Sequence, residues 1–243
     1  VQTDGEWVWI GDEQYVDGDS SVRIKRHIAC ETTEFEALIR LLAAFLAEGT
    51  VHSAATETSM IGATIRGMDA EWLERLSDDS MRVFENATPS LVTSDRANTH
   101  SGTSQASERG EPKTADTPGT ELRLMNQLSA AFFQSTIGQR STLKRIPSFI
   151  YHLSADRQRL FLDALTRSSG ANGASQLDEQ QHNPEFVFEA ASSAVAAGLS
   201  VLLTQRDLHH SVSYDNPDGT YTLHSSGVDG TDEEPVLTEV AHD

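Results

Sequence analysis

The stretch "RLLAAFLAEGTVHS", residues 40–53, decides the fold of this chain. Apolar and small residues recur at helical spacing as far as Glu48, and Gly49 follows as a stop signal, so we predict an amphipathic helix from about Thr33. A carboxylate at a helix C-terminus faces the negative end of the macrodipole, which costs about 0.3–1 kcal/mol unless a cation compensates it. A bound cation at Glu48 would supply that compensation.

A second copy of this stretch lies at "LFLDALTRSSGANG", residues 160–173. The two copies align without a gap through the pairs Leu41–Leu162, Ala43–Ala164, Ala47–Ser168 and Gly49–Gly170. Small residues four apart on one face allow two helices to approach at the close end of the usual range of about 8–10 Å. We therefore expect the two helices to pack face to face with their C-terminal ends side by side, where two carboxylates would bind a divalent metal.

The charge composition is unusual for a chain of 243 residues with a net charge of −19. Only Lys25, Lys113 and Lys144 are lysines, so the other 15 of the 18 basic residues are arginines. An acidic, lysine-poor composition is typical of proteins from salt-loving organisms, because molar salt reduces the Debye length to about 3 Å and screens carboxylate repulsion. Under those conditions the net charge does not exclude DNA binding, although a generic acidic protein fits the same composition.

Cysteine count and hydropathy exclude several classes of protein. Cys30 is the single cysteine, which leaves neither a disulfide framework nor a thiolate metal site. No apolar run approaches the roughly 20 residues of a membrane span, and the first residues lack the character of a signal peptide. We expect a cytosolic protein.

The periodicity of the sequence predicts two halves with one order of elements. Residues 29–93 read as helix, strands, helix and strand, with Asp69 as the cap of the second helix. Residues 96–117 have a low-complexity composition typical of a flexible linker. Strand and helix patterns resume after it and end in the alternating runs "HSVSYDN" and "TYTLHSS". This order predicts a duplicated α+β fold.

The two aligned motifs, "LLAAFLAEG" and "LDALTRSSG", together with "KRIP" at 144–147, resemble those of the LAGLIDADG homing endonucleases. More specifically, the sequence resembles the endonuclease region of inteins in haloarchaeal DNA polymerases, and this resemblance covers about residues 22–225. It implies a pseudo-twofold pair of αββαββα halves whose antiparallel strands form a DNA-binding saddle. It also implies a monomer with an internal pseudo-dimer.

The resemblance divides the chain into four parts. Residues 1–28 are a lead-in segment, and residues 29–125 are the first repeat, which contains the flexible loop. Residues 126–227 are the second repeat, and residues 228–243 are an acidic tail. Splicing segments are expected to flank such a domain in the full gene.

The family holds Mg²⁺ with one acidic residue per motif, and this implies metal contacts at Glu48, Gly49 and Gly170. Glu48 matches the first acidic position, but Ser169 stands at the second, where its neutral hydroxyl is a poor ligand for a hard divalent ion. Asp163 lies six residues earlier, about 9 Å back along the helix axis. We therefore expect an endonuclease whose strand cleavage is weakened or lost. The alternative to this endonuclease is a non-catalytic DNA-binding domain or an inert relic of an intein.

The resemblance also implies basic residues that contact double-stranded DNA. Lys144 corresponds to the family's basic residue near the cleavage centre, although Lys144 and Arg145 are equally an ordinary solvated pair. The residues expected to contact DNA are Arg23, Lys25, Arg26, Arg66, Arg123, Arg140 and Arg145.

Protein splicing requires a nucleophile at the first residue and a terminal His-Asn followed by another nucleophile. The sequence begins Val1-Gln2 and ends Ala241-His242-Asp243. We therefore expect that it does not splice as it stands, and that it is either the excised middle of an intein or a degenerate relative.

Overall fold

The structure is a computed structural model that describes residues 1–3, 5–10, 21–52, 61–67, 69–93, 119–169, 186–215 and 219–225. Within these ranges the helices are α1 (Thr33–Glu48), α2 (Ala70–Val83), α3 (Gln127–Thr136), α4 (Ala155–Ser168) and α5 (Ser193–Gln205), with two short 3-10 helices, Ser141–Leu143 and Ser148–His152. None of them combines the length and the apolar character that crossing a membrane requires.

The strands in the described ranges form three antiparallel sheets. The N-terminal sheet has the order β1 (Gln2–Thr3), β2 (Trp7–Trp9), β3 (Arg23–Lys25) and β6 (Phe84–Glu85). The first sheet has the order β4 (Gly49–His52), β5 (Gly62–Gly67), β8 (Thr120–Leu124) and β7 (Ser90–Thr93). The second sheet has the order β10 (His210–Asp215), β11 (Thr220–Ser225) and β9 (Phe186–Ala190).

Helices α1 and α4 pack against each other at the centre of the molecule. Their alanines Ala43, Ala44 and Ala164 are buried, as the small-residue pattern predicts. Near the start of both helices, Arg157 Nη1 donates to Glu36 Oε1 over 2.7 Å. Because the two helices pack together and their N-terminal ends are joined, they run in the same direction and both end on the same side of the pair.

The two halves repeat one arrangement around this pair. In the first half, Ile65 of β5 is paired with Leu122 of β8, and in the second half Phe188 of β9 is paired with Leu223 of β11. All four side chains are buried. Helices α2 and α5 begin with equivalent caps, whose side chains accept from the backbone N–H three residues later. The predicted α+β fold is confirmed. In the second half, the position equivalent to β4 falls within residues 170–185, which lie outside the described ranges.

The N-terminal sheet was not expected, because the sequence identifies only "EWVWI" in residues 1–28 as a possible strand. The run Arg23-Ile24-Lys25 alternates polar and apolar, and it forms a strand that inserts between β2 and β6. Ile24 is buried and joins the main hydrophobic core. The two neighbouring strands come from separate segments of the chain, so local periodicity does not reveal this pairing.

Helix α3 closes the core of the first half. The ring of Phe133 stacks on that of Phe45 in α1, with centroids 4.2 Å apart, and meets Phe84 edge to face at 6.0 Å. Such aromatic pairs contribute about 0.5–1.5 kcal/mol beyond the area they bury. Helix α3 therefore packs against the C-terminal turn of α1.

Candidate active site at the ends of the central helices

Helix α1 ends at Glu48, and the chain turns directly into β4 at Gly49. Glu48 is exposed, whereas Gly49 is buried. The backbone of Gly49 is extended, with φ at −81°, so its conformation does not require glycine. A Cβ atom at this position would overlap the ring and the carbonyl of Phe45, so close packing is what selects glycine here. The same packing fixes the backbone at the end of α1, next to Glu48.

Lys144 caps the C-terminal end of α1 from the other half of the molecule. Its Nζ donates to the carbonyl oxygens of Phe45 at 2.8 Å and Leu46 at 3.0 Å. The residue is only 6% exposed, and its ammonium group lies 5.3 Å from the centroid of the Phe45 ring. Its own carbonyl accepts a hydrogen bond of 2.7 Å from Ser192 Oγ. The cation that the helix dipole requires is thus supplied by a protein side chain.

Glu48 and Lys144 perturb each other across the end of α1. Burial raises the pKa of the Glu48 carboxyl, while the charges of Lys144 and Arg66 oppose that shift. The protein atoms that pack around Glu48 disfavour its charged form. Because the side chain is also exposed to water, solvent reduces the size of this pKa shift. Burial lowers the pKa of Lys144 to about 8, and the carboxylate of Glu48 works against this change.

The end of α4 has a different chemistry. Ser168 Oγ accepts a hydrogen bond of 2.9 Å from Trp72 Nε1 in α2 and donates to the carbonyl of Ala164 at 2.8 Å. Ser169 Oγ turns back to donate to the carbonyl of Thr166 at 2.9 Å. Both hydroxyls are therefore used inside the protein.

An ion pair joins the same end of α4 to the first half. Arg167 donates from Nε and Nη2 to Asp69 Oδ2 at 3.0 and 2.8 Å, and its guanidinium lies 4.7 Å from the centroid of the Trp72 ring. The backbone N–H of Trp72 and the Arg167 guanidinium hold the pKa of Asp69 below its usual value. The sequence identified Asp69 as a helix cap but gave no signal for this contact with α4.

At the end of α1 the described residues offer a divalent metal one carboxylate, that of Glu48. They contain no group of three or more side chains of the metal-binding types His, Cys, Asp and Glu. Mg²⁺ is commonly held by one or two carboxylates together with phosphate oxygens and water, which Glu48 can satisfy in part. At the end of α4, Ser169 offers no carboxylate, and Gly170, the other expected contact, lies outside the described residues.

Asp163 does not replace the missing carboxylate in this structure. It is exposed on α4 beside Arg159, with 4.0 Å between Oδ2 and Nε. Burial of the carboxyl raises its pKa, and the charges of Arg159 and Arg206 oppose the shift. Its position six residues before Ser169 keeps it away from the helix end, as the helical rise predicts.

Two of the arginines expected to contact DNA lie on the polar face of the first sheet. Arg66 in β5 and Arg123 in β8 flank Glu121, which is paired with Arg66 in the β5–β8 register. Arg123 donates from Nε and Nη2 to Glu121 Oε2 at 3.1 and 3.0 Å. Arg66 approaches Glu121 Oε1 only to 3.9 Å, and 77% of its side chain is exposed. These arginines are placed where an incoming polyanion can reach them.

The other basic candidates occupy two further regions. Arg140 and Arg145 are exposed on either side of the 3-10 helix that precedes Lys144, and Arg145 Nη2 donates to the carbonyl of Ser135 at 3.2 Å. Lys144, by contrast, is buried rather than part of a solvated pair.

The basic patch at residues 23–26 lies in the N-terminal sheet rather than on either of the other sheets. Arg23 forms an ion pair of 2.7 Å with Glu85, and Lys25 forms one of 2.7 Å with Glu34. The hydrogen bond from Glu34 raises the pKa of Lys25. Arg26 is exposed. Arg23 and Lys25 are thus engaged in ion pairs within the protein, and Arg26 is the most accessible of the three.

The fold is similar to that of solved structures of I-DmoI. The chain is similar to I-DmoI in complex with DNA and Mn, at 12% identity and a TM-score of 0.53, covering 80% of this chain and 91% of that one. It is similar to mesophilic variants of the homing endonuclease I-DmoI at 13% identity and a TM-score of 0.52, covering 80% and 90%. It is also similar to I-DmoI in complex with DNA and Ca, at 10% identity and a TM-score of 0.50, covering 81% of this chain and 85% of that one.

At these identities the similarity is one of fold, and it confirms the LAGLIDADG architecture expected from the two motifs. Neither the comparison with family models nor the comparison with curated proteins finds a match to the sequence.

Proposed function

We propose that this chain is a LAGLIDADG homing endonuclease domain that binds a long double-stranded DNA target. The supporting observation is the central pair of helices, which end on one side of the molecule and are flanked by two antiparallel sheets. Each of these sheets has one face packed on the core and one polar face. The solved structures of I-DmoI with DNA, Mn or Ca have the same fold.

The proposed reaction is Mg²⁺-dependent hydrolysis of a phosphodiester bond near the end of α1. A bound Mg²⁺ ion would polarise the phosphate and orient water. Glu48 is the residue that would hold this ion. Lys144 fixes the last turn of α1 through the carbonyls of Phe45 and Leu46, so it keeps Glu48 in place. Its buried ammonium is engaged with α1 and reaches a phosphate only after leaving that position.

The second strand of the target has no matching acid. Ser169 donates its hydroxyl to its own helix, and the nearby Asp69 carboxylate is engaged by Arg167 and by the N–H of Trp72. We therefore expect nicking of one strand at best. A domain that binds DNA without cleaving it, or an inert insert, is the second candidate, and the ion pair that occupies the α4 end favours it.

The remaining context follows the sequence resemblance. We propose an origin in an intein of a haloarchaeal DNA polymerase, a cytoplasmic location, a monomeric state and flanking splicing segments. The acidic, lysine-poor composition supports the halophilic origin. The division into repeats at residues 29–125 and 126–227 stays a prediction.

A supercoiled plasmid that carries an intein-free polymerase gene tests the reaction. Incubated with the protein, Mg²⁺ and high potassium chloride, it should yield nicked circles and little linear DNA. Abundant linear product would contradict the expected impairment. Binding without any nicking would support the non-catalytic candidate, and failure to bind would remove the proposed function itself.

The substitution Ser169→Asp, compared with Ser169→Asn, sharpens this test. The two side chains have the same shape, but only the aspartate offers the charge that a divalent ion requires. Conversion of nicked circles to linear DNA by Ser169→Asp alone would identify the missing carboxylate as the cause of the impairment. Glu48→Gln should abolish nicking in both backgrounds.

A further inference from the structure

The polar faces of the first and second sheets carry different chemistry at equivalent positions. The pairs Ile65–Leu122 and Phe188–Leu223 are buried at the same place in the two halves, and they fix the alignment of the two sheets. Side chains alternate between faces along a strand. The neighbouring residues of each strand therefore occupy the polar face in both halves.

Two cross-strand pairs can then be compared. The pair Arg66–Glu121 of the first sheet corresponds to Glu189–Thr222 of the second. The pair Thr64–Arg123 corresponds to Val187–His224. Each arginine of the first sheet is thus replaced, in one case by a carboxylate and in the other by an imidazole.

The first sheet presents guanidinium groups that are supported from behind. Glu121 is only 17% exposed and holds Arg123 through two hydrogen bonds to one oxygen. The Nε atom of Arg66 lies 3.9 Å from the same carboxylate, and 77% of the Arg66 side chain is exposed. The net charge of this trio is +1. A fork of N–H donors on a sheet surface matches the O6 and N7 acceptors of guanine in the major groove.

The second sheet presents acceptors and hydroxyls instead. Glu189 is exposed near the middle of the polar face, and the strand β10 beside β11 adds Ser211 and Ser213. A carboxylate accepts a hydrogen bond from the amino group of cytosine, and it repels nearby phosphates. Hydroxyl groups accept or donate to several base edges. This surface favours close base contact over attraction to the backbone.

We propose that the two sheets read the two halves of the DNA target by different chemistry. Arg66, supported by the Glu121–Arg123 pair, reads guanine in the half-site bound by the first sheet. Glu189 reads cytosine in the half-site bound by the second sheet. This inference rests on the proposed function, and it adds which bases each half of that surface selects.

Selection of bound duplexes from a random library tests this proposal with the full chain in potassium chloride. Arg66→Gln should relax the preference at one or two guanine positions by about 5- to 100-fold. Glu189→Gln should alter the preference for cytosine only in the half-site bound by the second sheet. It should also raise the affinity for duplexes that lack this cytosine. Arg75→Gln is the matched control, because Arg75 is an exposed arginine on α2, which covers the other side of the first sheet.

The outcomes distinguish a failure of the base-reading inference from a failure of the proposed function. If Arg66→Gln weakens all duplexes equally and leaves the preferences unchanged, Arg66 contacts phosphate and the inference is wrong. It is also wrong if the Arg66 and Glu189 effects fall in the same half of the site. If the unaltered protein selects no duplex at all, the proposed function itself fails. Thermal unfolding of each variant is the control for the fold, and the midpoint should stay that of the unaltered protein.

Discussion

The C-terminal ends of α1 and α4 occupy equivalent positions in the two halves but are stabilised by different contacts. At the end of α1 a carboxylate remains, and a buried lysine from the second half compensates both the carboxylate and the helix dipole. At the end of α4 the carboxylate is absent, and an arginine with an indole ties the helix to α2 of the first half. The charged end of α1 thus has a buried counter-charge, whereas the end of α4, which carries no carboxylate, is linked to the first half by a hydrogen bond and an ion pair.

A second difference between the halves lies deeper in the core. Arg40 in α1 and Asp79 in α2 form a bidentate pair at 2.6 and 2.8 Å, and their side chains are 6% and 3% exposed. Alignment of the motifs places Phe161 opposite Arg40. Alignment of the caps of α2 and α5 places Leu202 opposite Asp79, and both of these residues are completely buried. The first half thus has a charged pair at these positions, and the second half has a buried apolar residue at each of them.

The largest expected effect comes from breaking this charged pair. Asp79→Leu removes one partner and leaves the guanidinium of Arg40 buried without its counter-ion. Loss of one partner from such a pair costs about 3–5 kcal/mol. The free energy of unfolding, measured by chemical denaturation in high salt, should fall by this amount.

The double variant Arg40→Phe with Asp79→Leu installs the residues found at the aligned positions of the second half and serves as the control. Replacement of a buried ion pair by apolar residues of similar volume is often neutral or stabilising by about 1–4 kcal/mol. Recovery of stability in the double variant would show that the two halves differ in chemistry but not in packing. A double variant as unstable as the single one would contradict the equivalence of these positions.

The next effect concerns the cap on α1. Lys144→Met removes the donor to Leu46 and should lower the free energy of unfolding by about 1–3 kcal/mol. Arg145→Met, at the exposed neighbouring position, is the control and should change little. An equal effect of the two substitutions would show that the cap contributes nothing.

The pH dependence of the cap has a defined sign. Burial lowers the pKa of Lys144 to about 8 from 10.5, so the folded protein binds fewer protons than the unfolded chain between these values. The free energy of unfolding should therefore rise with pH across this window. In the Lys144→Met variant this contribution to the rise should disappear.

The smallest expected effect tests the cross-link at the end of α4. Trp72→Phe removes the hydrogen bond to Ser168, whose hydroxyl keeps the carbonyl of Ala164 as a partner. A double-mutant cycle with Ser168→Ala should give a coupling energy of about 0.5–1.5 kcal/mol. Strictly additive effects would mean that this contact does not join α4 to α2.

Local patterns in the sequence predicted most elements of the fold. The helix ending at Glu48, the cap at Asp69 and the alternating strands after Gln205 depend on hydrogen bonds and periodicities within short segments. The strand at Arg23–Lys25 was missed because its partners in β2 and β6 come from separate segments of the chain. Its basic character suggested a DNA contact, whereas two of its side chains are engaged in ion pairs.

The candidate site was predictable only as far as residue identity extends. The repeated motif located Glu48 and Ser169, since both stand at one position of the same helical pattern. The burial of Lys144, the partner of Arg167 and the pairing of Arg40 with Asp79 were not visible in the sequence. These contacts join residues that are 99, 98 and 39 positions apart, and no local periodicity encodes which of them meet.

The sequence by itself determined that two alanine-faced helices occur in a duplicated α+β chain, and that only the first ends in an acid. Side-chain spacing suffices for this because each helix presents its small residues through its own backbone geometry. The tertiary structure alone decided that a lysine neutralises the first helix end and that an ion pair fastens the second. Which charges meet depends on how distant segments pack, and burial then sets the strength of their interaction.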